Sequence, residues 1–128
     1  MGRKVSDGRS VRVTVPENTV IEQGKFYLLD GFFGMAVQSV TTGVGQTAQV
    51  VLNIEEAEYE TSQIKTTDAF NKGDKVFYDA AAKVLTTAAN PDASGNPQNR
   101  LVGIVTEAKD ANNVIWFKLG PQVQVHPA

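Results

Sequence analysis

The sequence predicts an all-β protein, a single-domain β-barrel or β-sandwich with extended N- and C-terminal tails. Three observations support this fold class. Short segments alternate apolar and polar side chains or are rich in β-branched residues, as strands are. Glycine, aspartate and asparagine separate these segments at turn-like positions. No amphipathic stretch of helical period is long enough to compete, and a chain of 128 residues suffices for one domain with its own core.

Two strands are predicted from residue alternation and β-branched content in the first half of the chain. Residues 11–15 alternate cleanly, and Pro16 ends this strand because proline cannot donate to a β-ladder. Residues 47–54 are β-branched, with Val50 and Leu52 on one face and Val51 on the other.

A hairpin is predicted between these two strands. Residues 25–29 and 32–40 flank Asp30-Gly31, a strong two-residue hairpin signal. Gly34 interrupts the returning strand, which indicates a bulge or close backbone packing at that point.

Two further hairpins are predicted in the second half. Gly73-Asp74 opens a turn before a short strand, and residues 84–87 return from it. Residues 101–108 and 114–119 form the last hairpin around the loop at 110–113.

Three segments of the second half are less regular. Residues 55–64 contain helix-compatible glutamates, but their β surroundings favour strand or extended structure. Residues 68–73 are compatible with a single helical turn. Residues 88–100, with two prolines and several asparagines, are too long and polar for a tight turn and predict a surface excursion.

The predicted organisation is a basic N-terminal arm (residues 1–10), a β domain (11–120) and a C-terminal tail (121–128). In the first dozen residues Asp7 is the one acidic residue, against four cations: Arg3, Lys4, Arg9 and Arg12. Such a segment is typical of an arm that is disordered or is ordered by a partner. We therefore expect it to bind a partner as a tether.

Composition argues against several functional classes. The net charge is −2, from 12 basic and 14 acidic residues, which disfavours general nucleic-acid binding. Cysteine is absent, which excludes disulfides and thiolate metal sites and fits a reducing compartment. No apolar stretch approaches the roughly 20 residues of a membrane span, and no apolar region follows the basic N-terminus as in a secretory signal.

The candidate catalytic groups have simpler structural explanations. His126, the only histidine, lies in the predicted tail, without the rigid surroundings that catalysis or metal binding requires. Asp74 and Asp79 are placed to accept hydrogen bonds from turn N–H groups. There is no Gly-Lys-Ser/Thr phosphate loop. We expect no enzyme activity, no cofactor and no metal site.

An acidic run in the middle of the chain has two interpretations. It comprises Glu55, Glu56, Glu58 and Glu60. The first interpretation is a calcium site or a pair of hydrolytic carboxylates. Calcium-binding loops, however, have interspersed glycine and asparagine, which this run lacks. A solvated strand face, or a partner for the basic arm, is favoured.

Adjacent aromatic residues in predicted strands suggest an interaction surface. The pairs are Phe26/Tyr27, Phe32/Phe33, Phe77/Tyr78 and Trp116/Phe117. Neighbours in a strand point to opposite faces, so we expect one member of each pair to lie at an interface. Phe33, Tyr78 and Trp116 are the candidates.

Several motifs give the chain a family resemblance. The most specific are GDKVFYD at 73–79 and KVLTT at 83–87, supported by GMAV at 34–37 and VGIV at 102–105. In this order they resemble the small capsid cement, or decoration, proteins of tailed bacteriophages and prophages. The resemblance covers about residues 20–119.

This resemblance implies a structural virion protein that binds the outside of an assembled head and reinforces it. The implied partner is the major capsid protein, and the implied location is the outer capsid surface after synthesis in the cytoplasm of the bacterial host. We expect self-association, as a trimer first and a dimer second. The alternative is a carbohydrate- or peptide-binding β module with exposed aromatics; a glutamate-dependent hydrolase is more remote.

Overall fold

The fold is known from a computed structural model that describes residues 2–123. Within these residues the chain forms strands and turns and no helix, which confirms the all-β fold class. The strands are β1 (Ser10–Val15), β2 (Val20–Ile21), β3 (Phe26–Leu29), β4 (Phe32–Ala36), β5 (Val40–Thr41), β6 (Ala48–Asn53), β7 (Glu58–Thr61), β8 (Lys75–Asp79), β9 (Val84–Thr86), β10 (Arg100–Glu107) and β11 (Ile115–Leu119). The chain divides into two compact units, Met1–Glu55 and Glu56–Ala128.

The first unit contains a four-stranded antiparallel sheet in the order β1-β6-β4-β3 and a small β2-β5 pair. Strand β1 pairs with β6 so that Val13 lies opposite Val50 and Val11 opposite Leu52. One face of the sheet therefore carries the apolar residues of both strands. The buried cluster on that face consists of Val13, Val15, Ile21, Tyr27, Ala36, Val50 and Leu52.

The predicted Asp30-Gly31 hairpin is confirmed. Both residues have positive φ, 51° at Asp30 and 82° at Gly31, as a type I′ turn between twisted strands requires. Asp30 also acts beyond its own turn, because its Oδ2 accepts a hydrogen bond from the Thr14 N–H at 2.7 Å. The turn of one hairpin thereby satisfies a backbone donor of the edge strand β1.

Close backbone packing at Gly34 is also confirmed. A Cβ atom at this position would lie 2.5 Å from the Asn53 carbonyl oxygen. Strand β4 can therefore lie against β6 here because residue 34 lacks a side chain.

The second unit contains a five-stranded sheet in the order β7-β11-β10-β8-β9. Its named strand pairs are all antiparallel. Beyond β9 the chain adds a short parallel contact: Leu85 N–H donates to the Gln63 carbonyl at 2.9 Å, and Lys65 N–H donates to the Leu85 carbonyl at 2.8 Å. The β9 edge is thus covered, whereas β7 forms the opposite edge of the sheet.

Aspartates close the turns of this unit as predicted. Asp79 Oδ1 accepts from the N–H groups of Ala81 and Ala82 at 3.0 and 3.2 Å. Asp74 Oδ2 accepts from the Asn71 N–H at 2.8 Å. In the last hairpin, Asp110 Oδ1 accepts hydrogen bonds from the N–H groups of Asn112 and Val114. These carboxylates accept hydrogen bonds from local backbone donors, which is the structural role expected from the sequence for Asp74 and Asp79.

The structure defines the conformation of three segments whose sequence patterns are ambiguous. Residues 58–61 form β7, so the strand interpretation of the acidic region is confirmed. Residues 68–73 form no helical turn, because Phe70 has a φ of 50°, outside the right-handed helical region; a turn is present only at residues 72–73. Residues 88–99 form an irregular segment with an isolated bridge between Pro91 and Pro97, as a surface excursion would.

The expectation that one aromatic residue of each pair lies outside the core is wrong for two of the three candidates. Phe33 is 1% exposed and Tyr78 is 3% exposed. Neighbours that point to opposite faces of a strand are buried together: Phe26 with Tyr27 on β3, and Phe77 with Tyr78 on β8. Both faces of these two strands are therefore covered. Phe33 stacks on Phe26, with ring centroids 5.7 Å apart, as a core residue does.

Asp68 connects the segment after Ile64 to the end of β9. Its Oδ2 accepts hydrogen bonds from the Thr86 hydroxyl at 2.5 Å and the Thr87 N–H at 3.0 Å. Burial by itself raises the pKa of the Asp68 carboxyl, but these hydrogen bonds and the charge of Lys65 outweigh burial, and the pKa lies below its usual value. The ionised carboxylate is therefore the form that stabilises the fold.

We expect Asp68→Ala to lower the free energy of unfolding at pH 7 by about 1.5 kcal/mol, because hydrogen bonds to a charged group are lost. The folded-state pKa is depressed, so this contribution is present above the unfolded pKa of about 3.9 and is lost as pH falls through the folded value. Urea unfolding of both proteins at pH 7 and at about pH 3 measures the effect. The difference between them should shrink in acid; an unchanged difference would show that the charge is irrelevant.

Candidate interaction surface

No group of three or more His, Cys, Asp or Glu side chains among residues 2–123 is placed to hold a metal ion. His126 lies outside the described residues. In the same part of the chain, no helix has the length and apolar character needed to cross a membrane.

The basic N-terminal arm is anchored at its end nearest β1. The Arg9 carbonyl accepts a hydrogen bond from the Ile54 N–H at 2.9 Å, and Arg9 Nε lies 3.5 Å from Glu55 Oε2. Arg12 lies on β1 itself, exposed on the face opposite Val11 and Val13. Glu55 of the acidic run is therefore a partner of the arm, one of the two roles expected for that run.

Residues 2–8, here called the arm tip, are exposed and make only local contacts among the described residues. Lys4 Nζ lies 2.7 Å from Asp7 Oδ1, and the Gly8 N–H donates to Ser6 Oγ at 3.1 Å. Val5 is 88% exposed. The four predicted cations thus separate into two pairs: Arg3 and Lys4 lie on the exposed arm tip, whereas Arg9 is anchored beside Ile54 and Glu55 and Arg12 lies on β1.

The second unit presents an exposed sheet face built around β11. Ile115, Phe117 and Leu119 are buried on one side of this strand, and Trp116 and Lys118 alternate with them on the other. Trp116 is 43% exposed, so its predicted exposure is confirmed. Of the three aromatic candidates, Trp116 alone remains available to a partner.

Trp116 lies directly between two glutamates across the strands. Glu60 of β7 is its register partner on one side and Glu107 of β10 on the other. We call these three residues the Trp116 row. The indole Nε1 donates a hydrogen bond to Glu60 Oε2 at 3.1 Å, which fixes the orientation of the ring. Cross-strand partners of this kind have Cβ atoms about 5 Å apart.

A β-bulge places Glu107 in this row. The register of β10 against β11 shifts between Val105 and Glu107, which leaves Thr106 without a partner in the ladder. In a regular strand Glu107 would share a face with Val105, which is buried. The bulge turns Glu107 to the face of Trp116 instead, as bulges often redirect a side chain. The sequence pattern of residues 101–108 contains no signal for this shift, and Glu107 was not predicted as a site residue.

Shallow pockets lie on both sides of the indole. One, of about 210 Å3, is lined by Glu58, Tyr59 and Glu60. The other, of about 270 Å3, is lined by Glu107, Ala108, Asp110 and Val114. Carboxylates therefore border the indole on both sides. An aromatic face among carboxylates is chemically suited to a cationic side chain.

A second cross-strand row runs parallel to the first. It consists of Glu58, Lys118, Ile104 and Lys75, in the order of the strands β7, β11, β10 and β8. We call it the Lys118 row. Ile104 is 45% exposed, so this row offers an apolar contact between two lysines. A groove of about 370 Å3 beside it is lined by Ile104, Leu119 and Val123, among others.

Comparison with known proteins identifies the family. A family model described as phage cement protein matches residues 5–119, which is most of the chain and includes Arg9, Arg12 and the whole exposed face around Trp116. No curated protein and no solved structure matches the chain. The chain therefore belongs to the phage cement protein family, and its role is that of a structural cement component of the phage capsid.

Proposed function

We propose that this protein binds the outer surface of a phage head and stabilises the contacts between neighbouring major capsid subunits. The observation that carries the proposal is the family match over residues 5–119. The exposed arm tip and the Trp116 row give the chain two features suited to protein contacts. In this proposal the protein is made in the cytoplasm of the bacterial host and has no catalytic role.

Binding at several weak points suits this function. Exposed ion pairs of Arg3 or Lys4 contribute about 0–1 kcal/mol each and are screened by salt. Several such contacts made at once raise the overall affinity well above that of any one of them. We propose the major capsid protein as the main partner, with self-association as a trimer, or next a dimer, on the shell.

We expect deletion of residues 1–8 to leave the fold intact and to weaken binding to heads, because the deletion ends before the Arg9 anchor. The measurement is co-sedimentation with purified heads that lack the protein, with the bound copies counted at low and high salt. Arg3→Gln with Lys4→Gln should reproduce most of the loss, and Asp7→Asn is the matched control on the same segment. Equal binding of the truncated and full chains at both salt concentrations would show that the arm is not a tether.

The same particles test the cement role and the copy number. Heads with bound protein should resist heating better than bare heads, and a map of the particle gives the stoichiometry and the contacts. Isolated monomers that do not touch each other would contradict the self-association. Absence of binding to any head would contradict the cement function itself.

A carbohydrate- or peptide-binding module receives less support. Such a module uses a platform of exposed aromatics, but Phe33 and Tyr78 are buried. Among the aromatic side chains of residues 2–123, Trp116 alone is largely exposed. One exposed indole is a smaller platform than the several aromatic side chains that this alternative assumes.

A further inference from the structure

We propose that the Trp116 row binds the basic arm tip of a second copy of this protein, with Arg3 lying over the indole between Glu60 and Glu107. The inference deepens the proposed function, on which it rests for its setting on the head, by naming the binding site of the arm. The contact itself can be tested without heads.

The receiving face has the chemistry of a cation site. Trp116 presents an exposed indole, the aromatic ring that attracts cations most strongly. Its two cross-strand neighbours, Glu60 and Glu107, are both exposed carboxylates, and the row contains no cation. A planar guanidinium can stack on the indole and donate to a carboxylate on either side. The row therefore favours arginine over a compact ammonium group.

The arm tip has the complementary chemistry. It carries Arg3 and Lys4, both exposed, and among the described residues its contacts are confined to itself. Arg3 is six positions from the anchor at Arg9, so an extended arm reaches about 20 Å from the body that carries it. This is long enough to reach a neighbouring copy. Charge complementarity therefore favours the arm tip of another copy of this chain as the partner of the Trp116 row.

The spacing of the arm tip also fits the two rows. In an extended segment Arg3 and Val5 lie on the same side, about 7 Å apart, and Lys4 points to the other side. Trp116 and Lys118 are likewise two positions apart on β11, so the two rows are separated by about the same distance. With Arg3 on the Trp116 row, Val5 comes to the Lys118 row, where the exposed Ile104 offers an apolar contact. Lys4 then points away from Lys118 and Lys75.

Such a contact is heterologous, because the arm of one copy meets the sheet face of the next. Heterologous contacts close into a ring or continue as an open chain. A ring of three is the arrangement that agrees with the proposed trimer. Copies already held close together on the head make this contact stronger, because the effective concentration of the arm is higher there.

Fluorescence of Trp116, the only tryptophan in the chain, reports on the site directly. The full chain carrying Arg3→Glu and Lys4→Glu, whose own arm cannot compete, is titrated with a synthetic peptide of residues 1–8. We expect a saturable change in emission, with binding weaker at about 0.5 M than at about 0.05 M salt. A peptide with the same two charge reversals should produce no saturable change.

Two variants of that chain locate the site. Glu60→Gln with Glu107→Gln should weaken peptide binding about tenfold. The double variant removes the two carboxylates that pair with Arg3 and hold its guanidinium over the indole. Glu17→Gln with Glu22→Gln removes the same number of charges from the first unit and should leave binding unchanged. Circular dichroism confirms that each variant is folded. As a rescue, Glu60→Arg with Glu107→Arg should bind the charge-reversed peptide instead.

The outcomes separate this inference from the proposed function. Absence of saturable binding of the wild-type peptide, or equal binding of a scrambled peptide, overturns the assignment of the arm tip as occupant. If the wild-type chain decorates heads while the peptide fails to bind, the cement function stands and this inference falls. If the peptide binds as expected while the chain ignores every head, the contact stands and the proposed function falls.

Discussion

Replacement of Phe33 by alanine is expected to lower the free energy of unfolding by about 4 kcal/mol, the range measured for large buried aromatics. Phe33 is 1% exposed and stacks on Phe26, so its removal leaves a cavity and breaks an aromatic contact. Chemical denaturation followed by circular dichroism measures the change. The matched comparison is Trp116→Ala, which removes a larger side chain from an exposed position.

The loss at Trp116 should be smaller than that at Phe33, because Trp116 is 43% exposed and its removal leaves no enclosed cavity. Head binding should show the reverse order, with Trp116→Ala weakening decoration more than a folded Phe33 variant such as Phe33→Leu. Equal stability losses at the two positions would contradict the distinction between a core and a surface aromatic.

Gly103→Ala is expected to destabilise the second unit by about 3 kcal/mol, because a Cβ atom there would collide with the backbone carbonyl oxygen of Lys118. That oxygen belongs to the β10-β11 ladder and cannot move without breaking the register. A fall in the urea midpoint measures the effect.

Gly120→Ala is the matched control for this prediction. Its Cβ atom would have Val102 O as nearest neighbour at 3.6 Å, an ordinary contact, so the change should stay within about 0.5 kcal/mol. Similar losses at both glycines would show that general glycine effects, rather than the close approach of two strands, account for the result.

The turns were predictable because their chemistry is local. Asp30-Gly31 adopts the two positive φ angles that this dipeptide favours, and Asp79 and Asp110 accept hydrogen bonds from N–H groups within four residues. The close backbone packing at Gly34 was also predictable, because a glycine inside a strand indicates a close approach of another backbone segment. The strands and hairpins of the fold therefore followed from short-range rules.

The candidate site was predictable only in part, because it depends on long-range packing. Alternation along β4 and β8 shows that neighbours point to opposite faces, but not whether the second face is covered; at Phe33 and Tyr78 it is. The bulge at Thr106 brings Glu107 beside Trp116 through pairing between β10 and β11, which no local pattern reveals. Arg3, Lys4 and Trp116 are binding candidates from the sequence alone because of their charge or their place in an aromatic pair, and all three are exposed.

The glutamates of β7 have one further consequence, for solubility. β7 is an edge of its sheet, and edges with free N–H and C=O groups can pair with a second copy and start aggregation. When two β7 edges pair in antiparallel fashion with the same sheet face on the same side, Glu58 lies opposite Glu60, Glu60 opposite Glu60, or Glu58 opposite Glu58. Each of these registers brings like charges together, which opposes edge-to-edge association of neighbouring molecules in a crowded solution.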